Sequence, residues 1–206
     1  MKQRVHIVIR YLDAAFPDPG PSLQASSPFE LLIATILSAQ CRDEQVNRVL
    51  PALMKAAPSP QKMRLLPEET IQNLIHSCGF FRAKAHAISA LSHQLCARFH
   101  GQVPSTFGDL ESLPGVGHKT ASVVMGHAFG QPAFPVDTHI KRLALKWGLS
   151  QGPTVERIEA DLKRLFPQST WFKRHMQMIL FGRAYCNRTQ CKPTHLCCIC
   201  KALHDN

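Results

Sequence analysis

Long apolar runs are missing from this chain. The longest stretches without Asp, Glu, Lys or Arg, such as TASVVMGHAFGQPAFPV, are broken by glycine and proline and fall short of the roughly 20 residues that span a bilayer, so no membrane span is expected. The apolar stretch near the start is interrupted by Arg10 and Asp13 before it reaches the length of a signal-peptide core, and no secretion signal is read there. Period-two alternation is absent too, which argues against half-buried strands. There is no internal repeat of fixed period and no low-complexity tract. Acidic residues are scarce: 14 Asp and Glu stand against 24 Lys and Arg, a net charge of +10, which suits a polyanionic partner, whether nucleic acid or an anionic membrane surface. Hydrophobic residues make up 45% of the chain, enough for a real core and against disorder. The chain reads as soluble and intracellular (cytoplasmic), where thiols stay reduced, so disulfides are the poorest explanation of its eight cysteines.

What is present is helical spacing. SPFELLIATILSAQ opens with Ser27 as cap, Pro28 in the first turn and Glu30 completing a capping box; Leu31, Leu32, Ile33, Ile36 and Leu37 then cover most of the circumference, as expected of a helix in the middle of a bundle. Asp43 is placed to cap the next helix, DEQVNRVLPALMKAA, with a kink expected at Pro51. PEETIQNLIHSCG reads as a helix led in by Pro67 and stopped by Gly79, and FRAKAHAISALSHQLCARFHG as one ended by Gly101. Two helices flank LPGVG, and three more follow the Gly/Pro-rich GQPAFP at 130–135, where the composition shift marks a crossing between two helical lobes. The expectation is an all-α protein of about nine or ten helices.

LPGVGHKTAS, residues 113–122, sets Gly115 and Gly117 in a tight turn between two helices. Glycine lets backbone approach a ligand, and the following helix presents unpaired N–H groups and positive dipole to an anion such as a DNA phosphate. A plain helix-to-helix connector explains the same five residues equally well. Lys119 lies in the first turn of that helix, where the dipole disfavours an added positive charge and favours a nucleophilic amine; a solvated phosphate contact is the ordinary alternative. PVDTHI, residues 135–140, carries Asp137 at a helix start, the position of an N-cap, from which the carboxylate can also project into a groove shared with Lys119.

LPGVGHKTASVV, then VDTHIKRL with Asp137 eighteen residues after the lysine, then a Cys-rich tail opened by FGRAYC, together resemble the helix-hairpin-helix DNA glycosylase superfamily and, within it, the endonuclease III family of bifunctional glycosylase/abasic-site lyases. SSPFELLIATILSAQ also resembles that family's early helix. The resemblance implies two helical lobes with double-stranded DNA bound in a cleft between them: a six-helix lobe of about residues 22–130, and a discontinuous lobe of residues 1–21 plus 131–206. It implies that Lys119 attacks C1′ of an oxidised or ring-damaged pyrimidine nucleotide, that a Schiff base forms and that β-elimination breaks the strand, with Asp137 assisting. Gln40 matches the residue that fills the gap left by the flipped nucleotide. Phe80 stands where the family usually carries a leucine wedge, with Phe81 as the alternative. Gly115, Gly117, His118, Thr120 and His139 are further expected DNA contacts of a nucleoid-associated monomer. Two rival readings are a monofunctional glycosylase of the same superfamily, whose members usually lack a lysine in this slot, and a noncatalytic DNA-binding module with a zinc knuckle.

The tail, CNRTQCKPTHLCCIC at 186–200, holds five of the eight cysteines. Taken as Cys186, Cys191, Cys197 and Cys200 they space as C-x4-C-x5-C-x2-C, enough thiolates for a four-coordinate structural site. On spacing alone zinc serves at least as well as iron. The resemblance implies a [4Fe-4S] cluster, although the family's usual pattern is C-x6-C-x2-C-x5-C; Cys198 is a spare thiol that competes with Cys197. Arg188 and Lys192 are then placed to meet the DNA backbone. Cys41, Cys78 and Cys96 read as small buried residues within helices.

Overall fold

The computed structural model describes residues 1–186 and 197–204. Among them there are helices and no strands: α1 (Lys2–Ala15), α2 (Pro28–Ser38), α3 (Asp43–Ala56), α4 (Pro60–Met63), α5 (Glu68–Ile75), α6 (Phe81–Arg98), α7 (Phe107–Glu111), α8 (His118–Ala128), α9 (Thr138–Lys146), α10 (Val155–Leu165), α11 (Trp171–Ala184) and α12 (Cys198–His204). None of these helices is long and apolar enough to cross a membrane. The chain divides into two compact units, Pro21–Gln131 and Met1–Gly20 with Pro132–Asn206.

The first unit is built around α2. Every residue from Leu31 to Leu37 is buried, because α3, α6 and α8 pack around the helix, and each such Leu or Ile contributes about 1.5–3 kcal/mol of hydrophobic stabilisation. Ser27 accepts from the backbone N–H of Glu30 at 3.1 Å and Pro28 occupies the first turn. The capping box closes one residue early: the Glu30 carboxylate takes the backbone N–H of Ser26 at 2.8 Å, not that of Ser27.

Three other local expectations are corrected. Asp43 is the first residue of α3 and not its cap; the N-cap is Arg42, which makes no side-chain cap bond. α5 ends at Ile75, before Gly79, and the left-handed residue that turns the chain is Phe80, at φ 58. Cys41 lies between helices and is half-buried, and Cys78 is buried in the turn after α5. The unit holds seven helices where six were expected, because the single turn of α4 is too short to show a period.

The second unit gathers α1 and α9–α12 around Trp147, Phe134, Phe181 and Leu12, all fully buried, with Trp147 edge-on to Phe181 at 5.5 Å. A polar clasp joins α1 to α11. Arg174 donates to both carboxylate oxygens of Asp13, at 2.6 and 3.1 Å, and Gln177 donates to Asp13 at 2.9 Å and to the Phe16 carbonyl at 2.8 Å. The Arg174 hydrogen bond holds the Asp13 carboxyl down to about 2. A charge as deeply buried as Arg174, 7% exposed, is stable only with such a partner.

Candidate active site and nucleic-acid interface

The α7–α8 hairpin is pinned from beneath by Leu113 and Val116, both buried. Its two glycines do different things. Gly115 has φ 76, and a Cβ there would stand 2.9 Å from that of Ala87 on α6, so conformation and space both demand glycine. Gly117 caps α8 in extended backbone and a Cβ would meet nothing within 4 Å. No side chain caps α8 and no acidic residue lies in its first turn, so the helix start presents its N–H groups and positive dipole to an incoming anion. Lys119, the second residue of α8, is exposed. Beside it His118 stacks on Phe107, ring centroids 5.7 Å apart, and its Nδ1 lies 2.7 Å from Glu111; Thr120 is half-buried.

Asp137 belongs to the other unit, where it performs the capping task its position suggests: Oδ1 accepts from the backbone N–H of Ile140 at 2.8 Å. The chain reaches it through Ala133, Phe134, Pro135 and Val136, all buried. His175, buried on α11, donates its Nδ1–H to the Pro135 carbonyl at 2.7 Å and so fixes the approach to the cap. Sequence reading missed His175, since a lone histidine on a helix carries no signal. His139, the second residue of α9, is half-buried, with its Nδ1 3.4 Å from Arg142.

Gln40 and Phe80 are brought together within the first unit. Both are exposed and both are left-handed, at φ 53 and φ 58. A Cβ on Gly79 would lie 3.2 Å from the Gln40 carbonyl oxygen, so the two turns touch. Phe80 is 66% exposed, whereas Phe81 packs on the core; of the pair, Phe80 is free to act as a wedge.

Three of the expected thiols lie near one another in the second unit. Cys186 and Cys200 are buried, with Cys197 packed on the same core, and hydrogen bonds from the Cys186 and then the Cys200 thiol push Cys197 far below the usual thiol range. Cys198 is exposed. Cys191, Arg188 and Lys192 lie outside the described residues, and among those described no three His, Cys, Asp or Glu side chains close around a common point. Even so, the donor set fits a thiolate-held metal group. Arg142 donates to the Cys186 carbonyl at 2.6 Å and its Nε is buried without a partner among the described residues, an arrangement complementary to a net negative charge at the thiols.

The profile of the HhH-GPD superfamily base excision DNA repair proteins matches residues 33–168. Endonuclease III of Synechocystis sp. is 42% identical over 202 residues, covering 95% of this chain and 92% of that protein, and endonuclease III of Treponema pallidum is 43% identical over 199 residues, covering 94% of each. A solved structure of a trapped covalent intermediate of endonuclease III with DNA superposes with a TM-score of 0.90 at 37% identity, covering 98% of both chains. The chain belongs to the endonuclease III family of the HhH-GPD base excision DNA repair superfamily.

Proposed function

We propose that this protein is a bifunctional DNA glycosylase and abasic-site lyase that removes oxidised or ring-damaged pyrimidines from duplex DNA. The duplex is held through its phosphates by the α8 N-terminus, aided by the chain's charge of +10. The target nucleotide leaves the stack, because C1′ is out of reach inside the duplex. The neutral Lys119 amine attacks C1′; the glycosidic bond breaks and its electron pair leaves with the base, which takes up a proton. Asp137 accepts the proton that the attacking nitrogen sheds and stabilises the positive charge developing on the sugar. The sugar ring opens to a Schiff base. Loss of a C2′ proton expels the 3′ phosphate, and water then hydrolyses the imine to free Lys119.

The observation that carries this reading is Lys119 itself, an exposed amine in the first turn of a helix whose N-terminus no side chain caps. The trapped endonuclease III–DNA intermediate supports it. Cys186, Cys191, Cys197 and Cys200 are the proposed ligands of a [4Fe-4S] cluster, which when bound supplies structural cross-linking of the tail; zinc is the alternative. The exposed Cys198 is left out of that set. The protein acts as a monomer, in the cytoplasm where the nucleoid lies.

Borohydride trapping on duplex DNA carrying an oxidised pyrimidine tests the assignment. Wild type gives a covalent adduct and Lys119→Ala gives none. A wild type without adduct, or a variant that traps equally, removes the Schiff base from the reading.

A further inference from the structure

Two non-glycine residues in left-handed backbone within one turn-to-turn contact call for a physical cause. Each such residue is strained and persists only where its surroundings over-determine it. Four links tie the two turns together. The Gln40 carbonyl sits against Gly79, as described. Gln45 Nε2 donates to Ser77 Oγ at 2.6 Å. The Cys41 thiol hydrogen-bonds with that of Cys78. Lastly, Lys84 of α6, 7% exposed, donates from Nζ to the Leu37 carbonyl at 2.8 Å.

The fourth link is the unusual one. α2 has no basic residue in its own last turn, where unpaired carbonyls and the negative end of the dipole favour a cation. Lys84 brings that cation from another helix, three residues before the Gln40 bend. Among the described residues it has no carboxylate partner, and burial pushes its ammonium below the usual lysine range. A buried ammonium is costly unless it is hydrogen-bonded or paired; the hydrogen bond of Lys84 goes to the end of α2, and its other electrostatic neighbours are the Cys41 and Cys78 thiols.

We infer that Lys84 is a positioning residue for lesion extrusion: by clamping the end of α2 to α6 it makes the Gln40 and Phe80 turns one rigid edge that enters the duplex as a unit. The inference rests on the proposed glycosylase/lyase reading and concerns one stage of it. Extruding a stacked, paired lesion demands that edge, whereas an abasic site has already lost its base and demands less. Loss of the clamp therefore falls unequally on two substrates of the same active site, which a general loss of folding does not produce.

The test compares Lys84→Met, Lys84→Arg and Gly79→Val with wild type in single-turnover base excision from an oxidised-pyrimidine duplex and in borohydride trapping on a duplex with a preformed abasic site, with melting temperatures in parallel. Gly79→Val presses on the Gln40 carbonyl, 3.2 Å from a Cβ at that position, and leaves Lys84 in place, so it stands in should Lys84→Met fail to fold. Losing one charge-assisted hydrogen bond that holds the edge should slow excision by about tenfold or more, while trapping on the abasic duplex falls by a clearly smaller factor and Lys84→Arg recovers part of the loss. Equal losses on both substrates, or no loss on either, would overturn the inference. A wild type that traps nothing would instead remove the reading of Lys119 on which it rests.

Discussion

Asp137 has one visible task, capping α9, and a second proposed one in catalysis; the two separate cleanly by substitution. Asn caps helices as well as Asp does, and its side-chain carbonyl can accept the Ile140 N–H that Oδ1 now takes at 2.8 Å. Asp137→Asn therefore loses only the interaction of a negative charge with the α9 dipole, about 0.5 kcal/mol. Asp137→Ala loses the cap as well, for a total of about 1.5 kcal/mol. In a chain of 206 residues these correspond to melting-temperature falls of about 1–2 °C and about 3–6 °C. Activity divides otherwise: both variants lack the carboxylate, so single-turnover excision falls by about 10²–10⁴-fold in each. Thermal denaturation and excision of an oxidised pyrimidine, measured on the same preparations, give the two readouts. If Asp137→Asn excises at the wild-type rate while Asp137→Ala is slow, the carboxylate is a cap and nothing more.

Four further outcomes follow from the geometry. Gly115→Ala meets both a positive φ and the Ala87 Cβ at 2.9 Å and should destabilise the protein by about 2 kcal/mol or more in urea titrations, while Gly117→Ala, with open space around it, should change stability by less than about 1 kcal/mol. Phe80→Ala should leave the melting temperature nearly unchanged, since the ring is 66% exposed, yet slow excision by about tenfold; unchanged excision would remove the wedge. Asp13 has its carboxyl lowered from 3.8 to about 2, which at about 1.4 kcal/mol per unit, discounted for a side chain 39% exposed, is worth about 1 kcal/mol. Because the folded value is depressed, that stability is present above pH 4 and disappears as pH falls toward 2, so the denaturation gap between wild type and Asp13→Asn should narrow over that window; a constant gap contradicts the sign. Finally, Cys197→Ser should lower bound iron and sulfide whereas Cys198→Ser should not, and the reverse result would exchange the two thiols.

The parts of the fold that were legible are those where a short stretch contains both partners of an interaction. Ser27 with Glu30, and Asp137 with Ile140, lie three residues apart, and the all-round apolar surface of α2 sits within one helix. The Lys119 position in the first turn of α8 follows in the same way from Gly117. What stayed hidden either joins distant residues or breaks a local preference. The Asp13–Arg174–Gln177 clasp spans about 160 positions, with Arg174 and Asp13 separated by 161, and no local pattern announces it. Glycine ordinarily takes the left-handed backbone that stops a helix, which points to Gly79 after α5, but the left-handed residue is Phe80. Asp43 carries the residue type of a cap one position too late, since Arg42 already has extended backbone.

The clasp between α1 and α11 also orders events in time. α1 leaves the ribosome ahead of the Pro21–Gln131 unit, with Val8 and Leu12 destined for full burial, yet its polar partners Arg174 and Gln177 are made only after that unit is complete. The intervening unit, Pro21–Gln131, is contiguous and can close on contacts within itself, so it is the one able to fold while synthesis continues. A helix made before that unit thus finds its place only after it, and until then its apolar face stays without the partners that cover it in the folded protein.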